Sequence, residues 1–501
     1  MRKQKIVAAL MSMAICISPF ALPCENAFAA SDKKSSSDET IVLKVCNWEE
    51  YIDEGGWDED EAIDLENSTI IGENSLIKDF EEWYKQTYGV NVKVEYSTFG
   101  TNEDLYNQLN LGDVYDLVCP SDYLIMKLMV NKELEPYDDS FFDKENKYNY
   151  YIKGVSPYIY KQFDSNKISG ESWSKYAAGY MWGTTGIVYN PDKVSKEDAS
   201  TWDILRNFAY NRKITIKDNV RDAYFAALGL YKKDILTNKD FVNDKNYNKR
   251  LSDEMNDVSK STMDDVEDIL KEIKDNVYSF ETDSGKSDMV TGKIVANFQW
   301  SGDAVFAMDQ AQEDGVYLDY SVPKECTNLW FDGWVMLKNG IKGNSAKKQA
   351  AQAFVNFMSR PDNVVRNMYY IGYTSVIAGG DDSTILEYLD WCYGAEDDEE
   401  DTIDYDVNYF FNDGESSDDY IIIAPASQAY RQLYAQYPTK DVINRSAIMW
   451  YFDDDASKNI NQMWINVRCF DIKTVPVAVW IAIAIALVVL VVMIVRKKIT
   501  K

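Results

Sequence analysis

Aromatic and acidic side chains occur together where several apolar, strand-like runs of this sequence end. These places are Trp48-Glu49-Glu50-Tyr51, Ser121-Asp122-Tyr123, Trp300-Ser301-Gly302-Asp303 and Trp330-Phe331-Asp332. An aliphatic diamine or polyamine needs both residue types, because carboxylates pair with its ammonium groups and ring faces cover its methylenes. A desolvated cation–π contact contributes about 2 kcal/mol, and charge-assisted hydrogen bonds add to it. The four runs therefore predict a site for a small organic cation.

The pattern around the first two runs is typical of a parallel α/β sheet. A strand over Ile41–Cys46 precedes a helix with Leu76, Phe80, Trp83 and Tyr84 at helical spacing, which Gly89 is placed to end. A strand of alternating residues then starts near Val90. Thr101 and Asp104 form a capping pair for a second helix, and Tyr115–Cys119 is a short buried strand. In such sheets ligands gather at the carboxyl ends of the strands.

The second half of the chain repeats the mixed pattern. A run over Ile214–Ile216 ends at Asp218-Asn219-Val220-Arg221-Asp222, which opens a helix, and a run over Ile294–Phe298 leads to Trp300. Two acidic stretches, 53–66 and 396–419, are interpreted as inserts, the second of them solvated. Its carboxylates lack the spacing of a calcium loop.

Composition excludes several functional classes. The formal net charge of −30 argues against a nucleic-acid partner. The chain contains no histidine, which excludes Ser-His-Asp and Cys-His catalysis and the commonest zinc sites. The cysteines at 46, 119, 326, 392 and 469 form no metal-like pair and no assignable disulfide framework, and Cys46 and Cys119 are expected to be buried. We therefore expect no metal, no cofactor and no enzymatic activity, although catalysis by two carboxylates stays open.

The two ends of the chain predict its compartment. A basic start, an apolar run to about Leu22 and the triplet Ala27-Phe28-Ala29 predict a signal peptide over residues 1–29, with a polar linker over 30–40. The uncharged apolar stretch Val475–Val495 predicts a transmembrane helix, and the basic residues after it place a cytoplasmic tail at 496–501. The prediction is a single-pass protein of the cell membrane whose bulk is extracytoplasmic.

The order of the motifs resembles the spermidine/putrescine-binding proteins of ABC importers. The resemblance covers about Ile41 to Ile377 and includes, besides the four runs, Tyr180-Met181-Trp182-Gly183-Thr184 and Tyr370-Ile371-Gly372-Tyr373-Thr374. It implies a periplasmic-binding-protein fold of two α/β lobes with two hinge crossovers, near Trp182-Gly183-Thr184 and Phe331-Asp332. The expected division is 41–183 with 332–377 for lobe 1 and 184–331 with 378–470 for lobe 2.

The resemblance also implies a ligand site. Its aromatic box is expected at Trp48, Tyr51, Tyr123, Trp300, Trp330 and Tyr373, with Ser121 as a polar contact, Asp332 gripping an amine and Asp222 as a second acidic position. Two positions depart from the family pattern: Asn219 stands where the family has an aspartate, and Glu49 replaces a threonine. The family's C-terminal glutamine has no clear counterpart.

Three functional hypotheses follow. The first is a membrane-anchored solute-binding subunit that delivers a polyamine to an ABC permease with its ATPase. The second is a sensory ectodomain for a small organic cation that acts through a partner protein, since the tail after Val495 is too short for an output domain. The third is a carboxylate-based glycosidase, for which no acid and nucleophile pair is marked. Locally, Trp182 also fits a packing role at the hinge, and Asp303 also fits a carboxylate that accepts N–H groups at a helix start.

Overall fold

A computed structural model describes residues 40–396, 399 and 401–469. Its strands are β1 (Ile41–Trp48), β2 (Ile63–Asp64), β3 (Thr69–Ile70), β4 (Val92–Phe99), β5 (Leu117–Val118), β6 (Leu134–Glu135), β7 (Lys167–Ile168), β8 (Glu171–Ser172), β9 (Ala177–Tyr189), β10 (Ile214–Lys217), β11 (Ser279–Glu281), β12 (Ala296–Trp300), β13 (Asp319–Ser321), β14 (Thr327–Leu337), β15 (Thr374–Ser375), β16 (Thr402–Asp406), β17 (Ile421–Pro425) and β18 (Ser446–Ala447).

The α-helices lie between and around these strands. They are α1 (Leu76–Tyr88), α2 (Asn102–Leu111), α3 (Asp122–Val130), α4 (Tyr150–Gly154), α5 (Pro157–Ser165), α6 (Lys196–Ala199), α7 (Val220–Tyr231), α8 (Lys233–Leu236), α9 (Lys239–Val242), α10 (Tyr247–Met255), α11 (Lys260–Asn276), α12 (Gly285–Val290), α13 (Ser301–Glu313), α14 (Lys338–Ile341), α15 (Ser345–Met358), α16 (Pro361–Ile371), α17 (Thr384–Tyr393), α18 (Asn408–Phe411), α19 (Gln432–Gln436), α20 (Lys440–Asn444) and α21 (Asp454–Arg468).

The first helices and strands lie where the sequence predicts them, with strand bounds that differ by a few residues. Ser75 accepts a hydrogen bond from the Lys78 N–H to start α1, and Gly89 ends that helix in the left-handed conformation at φ 72°. Thr101 accepts from the Asp104 N–H at 3.1 Å and so starts α2. The predicted alternating strand is β4, which pairs in parallel with β1. Cys46 and Cys119 are buried, as predicted.

Two long central strands join the two halves of one twelve-stranded sheet, whose main order is β11-β10-β12-β9-β14-β5-β1-β4. The pairs β1–β5 and β10–β12 are parallel, whereas β9 and β14 are antiparallel to each other. Residues 177–184 of β9 pair with β14, and residues 185–189 pair with β12 and β13. The strands that pass between the lobes therefore run through the predicted crossover segments.

The lobes have separate hydrophobic cores. The first contains Leu43, Val94 and Leu117, and the second contains Ile214 and Phe225. A smaller third cluster packs α13 against β13 beside the second core.

The lobe boundary after residue 377 differs from the predicted one. Residues from α17 to Tyr437 contribute to the first core, and Phe410 stacks on Trp182 with ring centroids 5.5 Å apart. The second core receives this part of the chain from Ala447 onward, through β18 and α21, and the third cluster beside it receives Ala435 and Val442. The acidic stretch 396–419 is thus only partly solvated, because buried Tyr405 and Phe410 anchor it to lobe 1.

The predicted signal peptide (1–29), nearly all of the linker (30–40), the predicted transmembrane helix (475–495) and the tail (496–501) lie outside the described residues. Within the described part of the chain, no helix combines the length and the apolar character needed to cross a bilayer.

Candidate ligand-binding site

A cavity of about 820 Å³ lies between the lobes at the carboxyl ends of the strands. All eleven residues predicted for the site line it, namely Trp48, Glu49, Tyr51, Ser121, Tyr123, Asn219, Asp222, Trp300, Trp330, Asp332 and Tyr373. They converge because β1, β5 and β14 contribute from one lobe and β10 and β12 from the other. Sequence order alone separates these residues by more than 300 positions, so only the fold brings them together.

Asp332 is the buried carboxylate at the lobe 1 end of the cavity. It lies on β14 where the pairing with β9 shifts register between Phe331 and Gly333. It accepts hydrogen bonds from the Ser121 hydroxyl at 2.7 Å and the Tyr51 hydroxyl at 2.8 Å. Among the described residues, no lysine or arginine forms an ion pair with it. Burial raises the pKa of Asp332 to about 6, although the two donated hydrogen bonds oppose that rise.

Aromatic rings surround Asp332. Tyr51 and Tyr373 meet edge to face with centroids 4.9 Å apart, and Trp330 lies 5.9 Å from Tyr373. Trp330 and Asp332 alternate with Phe331, which is fully buried in the core, so both face the cavity. Trp48 packs on Phe99 and extends the wall. A buried carboxylate inside such a wall suits an ammonium group followed by methylenes.

The lobe 2 end of the cavity carries its own ammonium groups. Lys217, the last residue of β10, donates to Asp303 at 3.1 Å and to the Thr282 carbonyl at 2.9 Å. Its Nζ lies 4.2 Å from the centroid of the Trp300 ring. Lys286 lies 3.6 Å from the same Asp303 carboxylate. The lysines thus hold Asp303 and one face of Trp300.

Asp303 does not have the helix-start role that was also considered for it. Its carboxylate accepts from the Lys217 ammonium and from the Tyr373 hydroxyl at 2.9 Å, which links the two lobes across the cavity. Burial would raise the pKa of Asp303, but the charges of Lys286 and Lys217 outweigh burial and lower it.

The two family departures have different surroundings. Asn219 is the N-cap of α7, and its side-chain oxygen accepts from the N–H groups of Arg221 at 2.8 Å and Asp222 at 3.3 Å. Glu49 is exposed on the rim of lobe 1. Asp222 accepts from the Trp300 indole N–H at 3.2 Å, and burial raises its pKa to about 7.

Tyr123 also has an intramolecular cation. The Arg221 guanidinium lies 4.4 Å from the Tyr123 ring centroid and 3.6 Å from that of Phe452. It donates to the Trp450 carbonyl at 2.5 Å. Because Tyr123 belongs to α3 and Arg221 to α7, this contact also spans the two lobes.

Sequence reasoning missed the lysines of the site. Lys217 had one usable signal, its position at the carboxyl end of a predicted strand directly before Asp218-Asn219. Lys286 had no local signal for its place beside Asp303, because it borders no predicted motif and its 2.7 Å pair with Asp283 is three residues away in the chain. Ionic partners far apart in sequence are invisible to a reading of local patterns.

The comparisons with known proteins agree with the resemblance seen in the sequence. The profile of the family described as "Bacterial extracellular solute-binding protein" matches residues 75–385. The spermidine/putrescine-binding periplasmic protein of Escherichia coli K12 is 24% identical over 351 residues, which cover 70% of this chain and 81% of that protein. The putrescine-binding periplasmic protein PotF of the same organism is 26% identical over 297 residues, or 57% and 71% of the two chains.

Solved structures support the two-lobed fold. The spermidine/putrescine ABC transporter substrate-binding protein PotD from Streptococcus pneumoniae superimposes with a TM-score of 0.53 at 22% identity, covering 85% of this chain and 98% of that one. The Tp0655 (TpPotD) lipoprotein of Treponema pallidum gives 0.54 at 17% identity, with 85% and 99% covered. At these identities the likeness concerns the fold. The expected mixed α/β periplasmic-binding-protein fold is confirmed.

Proposed function

This chain belongs to the bacterial extracellular solute-binding proteins, and we propose that it captures an aliphatic amine of the polyamine class between its two lobes. The curated relatives with printed ligands are named for putrescine or spermidine, which supports this ligand class. The captured amine is then delivered to an ABC permease driven by its ATPase. No catalytic step is part of this proposal.

The observation that carries the proposal is the buried Asp332 with its three aromatic neighbours. Its carboxylate is 5% exposed and receives only neutral donors, from Ser121 and Tyr51. A buried carboxylate without a cation is costly. An ammonium group completes the charge balance while the rings of Tyr51, Trp330 and Tyr373 cover its methylenes, so an amine ligand lowers that cost.

Calorimetric titration of the purified full-length protein in detergent tests the ligand class. Putrescine or spermidine should bind with a Kd of roughly micromolar order, as two or three cation–π contacts and charge-assisted hydrogen bonds allow. Glucose, which has no ammonium group, and glutamate, whose ammonium group lies beside a carboxylate, serve as controls. Absence of heat with putrescine, spermidine and related amines refutes the proposal.

Membrane anchoring completes the proposed role. The apolar stretch Val475–Val495 would hold the receptor at the outer face of the cell membrane, with residues 496–501 in the cytoplasm. A chain ending at residue 469 should appear in the medium, while the full chain stays in the membrane fraction. Uptake of radiolabelled putrescine by host cells should fall when the gene is deleted. A transcriptional response to the amine with unchanged uptake would instead favour the sensory ectodomain.

A further inference from the structure

The Trp300 ring already holds a cation of the protein. Lys217 ends β10 with its side chain only 1% exposed, and its ammonium lies 4.2 Å from the ring centroid. Its position is set by the Thr282 carbonyl, by Asp303 and by Glu281 at 3.9 Å. A ligand ammonium over this face of Trp300 would meet a like charge held in place by several partners.

Asp303 is equally occupied. Its two oxygens receive the Lys217 ammonium and the Tyr373 hydroxyl, and Lys286 lies 3.6 Å away. Two lysines and one hydroxyl therefore satisfy this carboxylate before any ligand arrives. It has little charge left to offer a second ammonium group.

The Asp332 end of the cavity differs from the Asp303 end both in the partners of its carboxylate and in the occupancy of its aromatic rings. Its carboxylate is paired with hydroxyl groups alone, and in the described part of the chain no lysine or arginine lies over the rings of Tyr51, Trp330 or Tyr373. Asp222, the third buried carboxylate of the cavity, receives the Trp300 indole N–H, and the charge of the same Lys217 acts on it. Asp332 with its rings is thus a carboxylate-aromatic position on which no lysine or arginine of the described residues acts, whereas the protein's own lysine serves the Trp300 position.

We propose that the cleft buries a single ligand ammonium, at Asp332, and that Lys217 is the specificity-determining residue that keeps a second one away from Trp300. The preferred ligand is then a diamine whose other ammonium stays near the hydrated rim, where Glu49 is exposed. A triamine, which has one more ammonium to place, is bound less tightly. This inference rests on the proposed function, because it concerns the same cavity.

Titration of the wild-type protein with putrescine, a diamine, and spermidine, a triamine, gives the first test. The wild type should bind putrescine at least about tenfold more tightly, since one unfavourable or lost cation contact is of that order. Equal or tighter binding of spermidine overturns the inference without any variant. Absence of binding by either amine refutes the proposed function instead.

The variant Lys217→Met gives the second test. It keeps an apolar chain against Trp300 but removes the ammonium nitrogen, which leaves a vacant cation position beside Asp303. Spermidine affinity should rise about tenfold, while putrescine affinity stays within about threefold. An unchanged ratio of the two affinities overturns the inference.

A matched control separates the site from the loss of any buried lysine. Lys232 is 12% exposed, pairs with Glu254 and Asp257 and lies over the Tyr231 ring, but it is not among the residues lining the cavity. Lys232→Met should leave the affinity ratio at the wild-type value. Thermal unfolding of each variant identifies any variant that fails to fold. In that case the ratio of the putrescine and spermidine affinities of the wild type decides whether the inference stands.

Discussion

Asp332 and Asp303 line the same cavity and are 5% and 7% exposed, but their partners differ in charge. Asp332 receives two hydroxyl groups and has a raised pKa, whereas Asp303 receives a lysine and lies near a second one and has a lowered pKa. Each lies beside a tryptophan. Residue type and burial therefore do not decide whether an acidic side chain can bind a ligand ammonium. We propose that the presence of an intramolecular cation decides it.

The variant Asp332→Asn is the strongest test of this comparison between Asp332 and Asp303. We expect its putrescine affinity to fall at least about 100-fold, because the ligand ammonium is left buried without its counter-charge. Calorimetric titration measures the change. Asp116→Asn is the control: Asp116 is fully buried in lobe 1 and paired with Lys347, yet it is not a cavity-lining residue, so its replacement should leave affinity unchanged. Affinity of Asp332→Asn within tenfold of the wild type contradicts the assignment.

The matching change at the other end, Asp303→Asn, should affect stability more than binding. It leaves Lys217 with the Thr282 carbonyl and, for charge, only the more distant carboxylate of Glu281, and a buried charge that loses its counter-charge is costly. The free energy of unfolding should fall by about 3 kcal/mol in urea titrations. Asp264→Asn, which removes an exposed pair with Lys260, should cost less than about 0.5 kcal/mol. A stable Asp303→Asn protein that no longer binds putrescine would reverse the roles of the two ends.

The two tryptophans provide a smaller contrast. Trp330→Ala should lower putrescine affinity about 30-fold, the value of one desolvated cation–π contact, because its ring faces the open position. Trp300→Ala should lower it less than about threefold, because Lys217 already occupies the ring. Fluorescence-monitored titration of the two variants compares them directly. Equal losses would show that the ligand spans both ends.

Much of the fold was predictable because local patterns are strong in the first lobe. The stop at Gly89 and the cap at Thr101 bound α1 and α2, and alternation predicts β4. The convergence of the eleven site residues was also predictable, because the carboxyl ends of parallel strands meet at one edge of a sheet. Their contact with ligand stays a prediction.

The parts that the sequence could not predict depend on pairing across long separations. Lys217 and Asp303 are 86 residues apart, and the one local signal, the position of the lysine at the end of a predicted strand, does not show which carboxylate it pairs with. The lobe boundary failed for a similar reason. The segment around Phe410 is acidic enough to suggest a solvated insert, and its anchors are distant in sequence: Phe410 stacks on Trp182, and its carbonyl accepts from the Ser156 hydroxyl.

The Asp332 end and the Trp300 end of the cavity also differ in the proton release expected when a ligand binds. Burial raises the folded-state pKa of Asp332 to about 6, above the ordinary value of about 3.9. For the empty protein, the stability contributed by this group is therefore present below about pH 4 and lost as the pH rises through 6. An ammonium ligand pairs with the ionised carboxylate, so binding at pH 6 should release about half a proton from it.

Calorimetry at pH 6 in two buffers of different ionisation enthalpy measures this release. The control is Asp222→Asn, which removes the cavity carboxylate whose pKa burial raises to about 7. Because the Trp300 end holds its own cation, the ligand should not draw a proton from Asp222, and the variant should release as much as the wild type. If the release disappears in Asp222→Asn, the ammonium is bound at the end that Lys217 was expected to close, since only a charge near Asp222 can expel its proton.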